Sequence, residues 1–222
     1  MTYTENEERH DFDDFALVYR RWEKRRQLKD PSQIKTYKAI AKCYSIGKAV
    51  LDVGCGMGIG TRILGDEAVG AWGVDINPVN VEVAKAFFEN RTTKFETLDI
   101  TGDWPRPFAT FDVIACIEVI EHVKDYEAVL NGLKRFYDPK RRSVFFISSP
   151  NRNSDKLGKE RPNNEHHVRE WTAGEFYEIL TKHFKTVVMY SCAKLDDFSF
   201  DETCDGNTGD SPILAKCEDP IL

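Results

Sequence analysis

The sequence predicts an α/β fold in which a mostly parallel sheet is covered by helices on both faces. Three observations carry this. Short apolar runs suited to buried strands alternate with stretches at helical spacing. A glycine cluster follows the first of those runs and opens the next helix, the place where ligands lie in open α/β sheets. The last two apolar runs, 186–190 and 212–217, read as an antiparallel pair that closes the sheet.

Taken in order, residues 1–14 are acidic and polar and read as loosely held. Residues 15–29 read as a helix, because Phe15, Val18, Tyr19 and Trp22 fall at i, i+3, i+4 and i+7. Pro31 breaks the chain and opens a second helix over 31–46, which ends at Gly47. These two helices form an N-terminal segment, 1–46, expected to act as a lid or acceptor-side cap. Residues 47–222 form the ligand-binding domain. Within it, strands are expected at 48–53, 71–75, 94–98, 111–116 and 143–148, before the closing pair. Helices are expected from 59, over 78–90 and 124–137, and over 171–183. Thr172 and Glu175 form a capping-box pattern that opens the last of these. Residues 194–210 carry six acids, one lysine and two glycines and read as a solvated loop.

A chain of 222 residues buries enough surface to need no disulfide scaffold. Its six cysteines, Cys43, Cys55, Cys116, Cys192, Cys204 and Cys217, form no C-x-x-C pair. Cys55 and Cys116 sit in apolar runs and read as small buried hydrophobes. Reduced thiols, an acidic N-terminus unlike a secretory leader and no membrane-length apolar run lead to a cytoplasmic expectation. The net charge of −6 disfavours broad nucleic-acid binding while leaving room for a local basic patch.

The strongest signal is VLDVGCGMGIGT at 50–61. Its spacing excludes the dinucleotide fingerprint G-x-G-x-x-G: from Gly54 the third glycine would fall at Ile59, and from Gly56 at Thr61. Asp52, just before the loop, would repel a pyrophosphate but suits the ammonium of an amino-acid cofactor. Asp75 ends the second strand, where an acid accepts from ribose hydroxyls. Asp99 ends the third, where a carboxylate can accept from an adenine amino group.

These motifs resemble those of class I S-adenosylmethionine-dependent methyltransferases. VLDVGCGMGIGT is similar to their first motif, VDIN at 74–77 to their ribose motif, and LDI at 98–100 to their adenine motif. The resemblance spans roughly residues 45–190. It implies a doubly wound, Rossmann-like seven-stranded sheet, mostly parallel with the last strand antiparallel. It implies S-adenosylmethionine as cofactor, contacted by Asp52, Gly54, Gly56, Asp75 and Asp99, with Cys55, Gly58, Ile76, Ile100 and Ile117 beside them.

After the fourth strand comes IEVIEHV at 117–123. If it turns helically, Glu118, Glu121 and His122 share one face, and two carboxylates with an imidazole suit a hard cation. His166 and His167 follow in HHVREWT, after a loop over 152–168 that is long for a compact domain. The pattern is similar to small-RNA 3′-terminal 2′-O-methyltransferases, which share Glu-x-x-Glu-His and a later His-x-x-Glu-Trp-Thr. It is also similar to ubiquinone-pathway O-methyltransferases, which share the first segment, and to bacterial methyltransferases of sugars and small molecules. The first two resemblances imply a divalent cation (magnesium, manganese or cobalt) on Glu118, Glu121, His122 and His167, with His166 in reserve. Glu121, His122 and His166 are then the candidate catalytic residues. The other reading is a hydrogen-bonded Glu121–His122 pair without metal.

Arg20, Arg21, Lys24, Arg25, Arg26 and Lys29 form a basic run with Tyr19 and Trp22 interleaved. It reads either as part of a lid selecting an anionic acceptor or as a solvated helix face. The expected acceptor is a small molecule or sugar with adjacent hydroxyls, methylated on oxygen. An RNA acceptor rests on the distant resemblance alone. An N-methyltransferase remains an alternative, although IEVIEH stands where Asp/Asn-Pro-Pro-Tyr would mark a DNA amino-methyltransferase. A non-catalytic cofactor-binding or interaction module would need the glycine loop but not the Glu-His segments.

Overall fold

The computed structural model describes residues 32–102, 109–152, 162, 164, 166–191 and 212–222. The helix expected at 15–29 with its basic run, most of the 152–168 loop and the acidic 194–210 loop lie outside the described residues.

Among the described residues the first element is α1 (Ser32–Ile40), which runs into a π turn (Ala41–Ser45) before Gly47. The order is then β1 (Ala49–Val53), α2 (Ile59–Gly65), β2 (Gly70–Asp75), α3 (Pro78–Phe88), β3 (Thr93–Thr97) and β4 (Val113–Cys116). A single 3₁₀ turn (Ile120–His122) leads to α4 (Tyr126–Lys134), β5 (Val144–Ser149), α5 (Ala173–Leu180), β6 (Phe184–Ser191) and β7 (Ile213–Pro220). The strands form one seven-stranded sheet in the order β3-β2-β1-β4-β5-β7-β6. β1 to β5 pair in parallel, and β7 lies antiparallel between β5 and β6. The switch point lies at β1, whose neighbours are β2 on one side and β4 on the other.

Alternate side chains of each central strand enter two apolar layers. Leu51, Ile114, Phe145 and Ile147 join one layer with α4 and α5 residues, including Leu130, Leu133 and Phe176. Val50, Val113, Ala115 and Phe146 join the other with Tyr37, Ile40 and Leu64 of α1 and α2. Burial on both faces explains why these strands read as unbroken apolar runs.

Three of the helices start at side-chain caps. Asn77 accepts from the amides of Val79 and Asn80 ahead of α3, whose first residue is Pro78. Asp125 caps α4. Thr172 and Glu175 form the reciprocal capping box of α5. No helix among the described residues is long and apolar enough to cross a membrane.

Candidate active site

The parallel strands end together, and the turns that follow them build one polar rim. At its centre, Gly54, Gly56 and Gly58 adopt φ of 72°, 52° and 85°, a left-handed path that side chains resist. A Cβ on Gly54 would lie 2.4 Å from Val119 Cγ2, so this glycine lets the β1 turn touch the β4 turn. A Cβ on Gly56 would meet nothing within 4 Å, so the loop is open at that point.

Asp75, ending β2, holds the loop. Its Oδ2 accepts from the Gly56 amide at 2.8 Å and its Oδ1 from the Asn77 amide at 2.9 Å. Burial pushes its carboxyl up from the ordinary range, against the lowering effect of those two amides. Ile76 beside it is exposed. Asp99 lies in the turn after β3 and accepts from both the amide and the hydroxyl of Thr101. Ile100 and Ile117 are buried in the apolar layers, and Cys55 packs with Val81, Ala84 and Phe95.

Asp52 has no exposed surface. Its Oδ1 accepts from the Tyr37 hydroxyl at 2.9 Å and its Oδ2 from the Thr61 hydroxyl at 2.7 Å. Burial nonetheless pushes its carboxyl up to about 7, against those two hydrogen bonds. Tyr37 was not singled out from the sequence. Only the packing of α1 against the loop brings it beneath Asp52.

Beyond β4 the structure corrects one expectation. Residues 118–122 do not form a helical turn: the 3₁₀ turn covers only Ile120–His122, and Glu118 stands at φ 57°. The cause is Ser148 of the neighbouring β5. Its hydroxyl accepts from the Glu118 amide at 2.9 Å and donates to Glu118 Oε1 at 2.7 Å, turning that residue toward β5. Burial pushes the Glu118 carboxyl up to about 7.

Three of the four expected ligands come together. Glu121, His122 and His167 place one ligand atom each within 4.8 Å of one another, and Glu118 is not in that group. Glu121 has no exposed surface, and neither of its carboxylate oxygens has a hydrogen-bond partner. Burial, then the nearby Glu118, raises its carboxyl well above the usual range. The His122 and His167 rings meet edge to face at 4.8 Å. The His167 segment is docked by backbone: the amides of Val168 and Arg169 donate to the Glu121 carbonyl, at 2.9 and 3.4 Å. His166 contributes its carbonyl, which accepts from His122 Nδ1 at 3.1 Å.

Glu170 was also missed at the sequence level. Its Oε1 lies 2.6 Å from His167 Nδ1, and its Oε2 is buried without a partner. The i, i+3 spacing of His167 and Glu170 was the available signal.

A glycine turn at the switch point of a doubly wound sheet, with carboxylates at the ends of its second and third strands, defines a nucleoside-cofactor-binding α/β enzyme fold. Comparison with known proteins narrows that class. A family profile described as a methyltransferase domain matches residues 21–187. A Mycolicibacterium smegmatis protein named as a probable S-adenosylmethionine-dependent methyltransferase is 32% identical over 134 residues, 60% of this chain and 50% of that protein. A ubiquinone biosynthesis O-methyltransferase of Idiomarina loihiensis is 32% identical over 109 residues, 48% of this chain and 44% of that enzyme. The chain spans about half the length of these curated relatives. A structure of the Haloferax volcanii Trm112 methyltransferase activator in complex with a methyltransferase contains a chain of the same fold. It overlays at a TM-score of 0.68, covering 96% of this chain and 98% of that one, at 18% identity. The chain belongs to the methyltransferase domain family, in its class I S-adenosylmethionine-dependent group.

Proposed function

We propose that this chain transfers a methyl group from S-adenosylmethionine to a hydroxyl oxygen of a small molecule or sugar with adjacent hydroxyls, with help from a divalent cation. The observation that carries the reading is the buried Glu121 carboxylate beside the glycine loop, which lacks a hydrogen bond and faces two imidazoles, with His122 Nε2 at 3.9 Å. A carboxylate buried without a donor is costly and is retained where a cation completes it. The donor set fits: one carboxylate and two imidazoles, with no cysteine among them, suit magnesium, manganese or cobalt better than a closed structural zinc site. The name of the Idiomarina relative, a ubiquinone biosynthesis O-methyltransferase, supports oxygen as the target.

The chain's own residues then divide the work. The open backbone at Gly56 accommodates the cofactor, Asp75 and Asp99 accept from its ribose and adenine, and Ile76 lies alongside. Asp52 acts from below, bracing the loop through Thr61. S-adenosylmethionine supplies a methyl group on a cationic sulfur. A divalent cation on Glu121, His122 and His167 would acidify an acceptor hydroxyl. We assign His166 to take the hydroxyl proton as the methyl group leaves the sulfur for the oxygen. Calorimetric titration of the full chain with S-adenosylmethionine, then with magnesium, manganese and cobalt in turn, tests the reading. Cofactor binding with cation binding at one site supports it. Cofactor binding with no cation binding removes the metal, and absence of cofactor binding removes the whole proposal.

A further inference from the structure

The geometry points to Glu170 as the positioning residue that makes His167 a ligand, by holding its ring in the tautomer with the proton on Nδ1. The inference rests on the cation reading above and adds a residue to it.

The hydrogen bonds around His167 assign its protons. The His166 amide donates to Asn164 Oδ1 at 3.0 Å, which fixes the orientation of the Asn164 side chain. Its Nδ2, necessarily a donor, lies 2.9 Å from His167 Nε2. Nε2 therefore accepts and carries the lone pair. Nδ1 carries the proton and donates it to Glu170 Oε1 at 2.6 Å, a charge-assisted geometry. A cation on His167 would therefore take Nε2, replacing the Asn164 amide at its lone pair.

His122 offers an internal comparison. Its Nδ1 lies 3.1 Å from the His166 carbonyl, an oxygen that can only accept, so this ring also carries its proton on Nδ1. Two imidazoles from different turns are set the same way, one by a carbonyl and one by a carboxylate. A carboxylate makes the imidazole it holds a better electron donor than a carbonyl does. Glu170 is nearly fully buried, and its Oε2 has no partner. A residue needed only for packing would not be an acid left half-satisfied beside Glu118 and Glu121. Its negative charge instead adds to the site's preference for a doubly charged guest.

The test uses the full chain, cobalt(II) as the probe and nitrogen NMR of labelled histidines. In the unloaded wild-type protein, the His167 ring should show a protonated Nδ1 and an unprotonated Nε2 at neutral pH. Glu170→Ala should lose that tautomer and bind cobalt roughly 10–100-fold more weakly, with a changed visible absorption spectrum. Glu170→Gln, whose carbonyl oxygen can still accept from Nδ1, should restore the tautomer and part of the affinity. S-adenosylmethionine affinity should not change in either variant, which separates positioning from misfolding. Wild-type cobalt affinity in Glu170→Ala, or an Nε2-protonated His167 in the parent, overturns the inference. If the parent binds no cobalt yet shows the Glu170-dependent tautomer, the cation reading fails while the assignment of Glu170 as the group that sets the ring stands.

Discussion

The two halves of the rim are satisfied to different degrees. On the β1–β2–β3 side the acids are met by amides and hydroxyls within the chain. Asp75 is met by two backbone amides, Asp99 by Thr101, and Asp52 by Tyr37 and Thr61. The buried oxygens left without a partner there, among the described residues, are neutral ones of Asn80 and Thr93. On the β4–β5 side, both oxygens of Glu121 and one of Glu170 are left over, and these belong to acids. An unmet acid oxygen costs far more than an unmet neutral oxygen once the acid ionises, which is why burial raises the Glu121 carboxyl. The first half is therefore preorganised by its own hydrogen bonds, and the second keeps buried acid oxygens that no hydrogen bond meets among the described residues. The two touch at Gly54 and Val119.

The largest expected effect falls on the unfinished half alone. Excess chelator, or His122→Ala, should lower turnover by about 100-fold or more, because a lost cation withdraws several kcal/mol of transition-state stabilisation. Cofactor affinity measured by calorimetry should stay the same. Full activity of purified protein in chelator, on a verified acceptor, would break the comparison by showing that the buried acids need no guest.

Asp75→Ala tests the finished half. It removes the acceptor of the Gly56 and Asn77 amides, together with the ribose acceptor proposed above. Hydrogen bonds to a charged group contribute about 1.5–3 kcal/mol, so the cofactor should bind about 10–100-fold more weakly. Cobalt binding should be unchanged. Equal loss of both ligands would mean that the halves act as one unit.

The Gly54 contact sharpens the comparison further. Alanine there must adopt φ near 72° and meet Val119, with the left-handed backbone alone costing about 1–2 kcal/mol. Cofactor affinity should fall by about tenfold, and cobalt affinity should fall with it because Val119 precedes the Ile120–His122 turn. Adding Val119→Ala should return the cobalt affinity more fully than the cofactor affinity, since it clears the clash but leaves the backbone strain. Cobalt affinity untouched in Gly54→Ala would show that the contact carries nothing between the halves.

How far the sequence could be read follows the same division. The sheet, its antiparallel closing pair, the glycine loop and the Thr172–Glu175 cap were legible because each rests on residues close in sequence. Boundaries moved slightly: β3 runs over Thr93–Thr97, where 94–98 was expected, and α4 is shorter at both ends than 124–137. The left-handed Glu118 was not legible. No glycine marks it, and its cause is a hydroxyl thirty residues away in β5. The Tyr37–Asp52 bond was hidden for the same reason, since helical periodicity does not say which strand end a tyrosine will reach. Glu170 was within sight, three residues after His167, but only the fold shows that the pair faces inward.

The smallest expected effect on ligand binding concerns Asp52, which is read in stability instead. Its carboxyl lies at about 7 in the folded chain because of burial, against an ordinary value near 3.8 once unfolded. Between those values the folded state binds a proton that the unfolded state releases. Stability from this group is thus complete below about pH 4 and is lost as pH rises through about 7. Glu118, also raised to about 7 by burial, acts in the same direction. Asp52→Asn keeps the shape and still meets the hydroxyls of Tyr37 and Thr61, one as acceptor and one as donor, but it cannot ionise. Between pH 5 and 8 the parent should therefore lose more thermal stability than this variant, so that the gap in melting temperature moves in the variant's favour by several degrees, because about two pH units on one carboxyl are worth about 2–3 kcal/mol. Cofactor affinity should change little, because both Asp52 oxygens already meet the hydroxyls of Tyr37 and Thr61. A large loss of cofactor affinity with unchanged pH dependence of melting would place Asp52 against the ligand instead of beneath the loop.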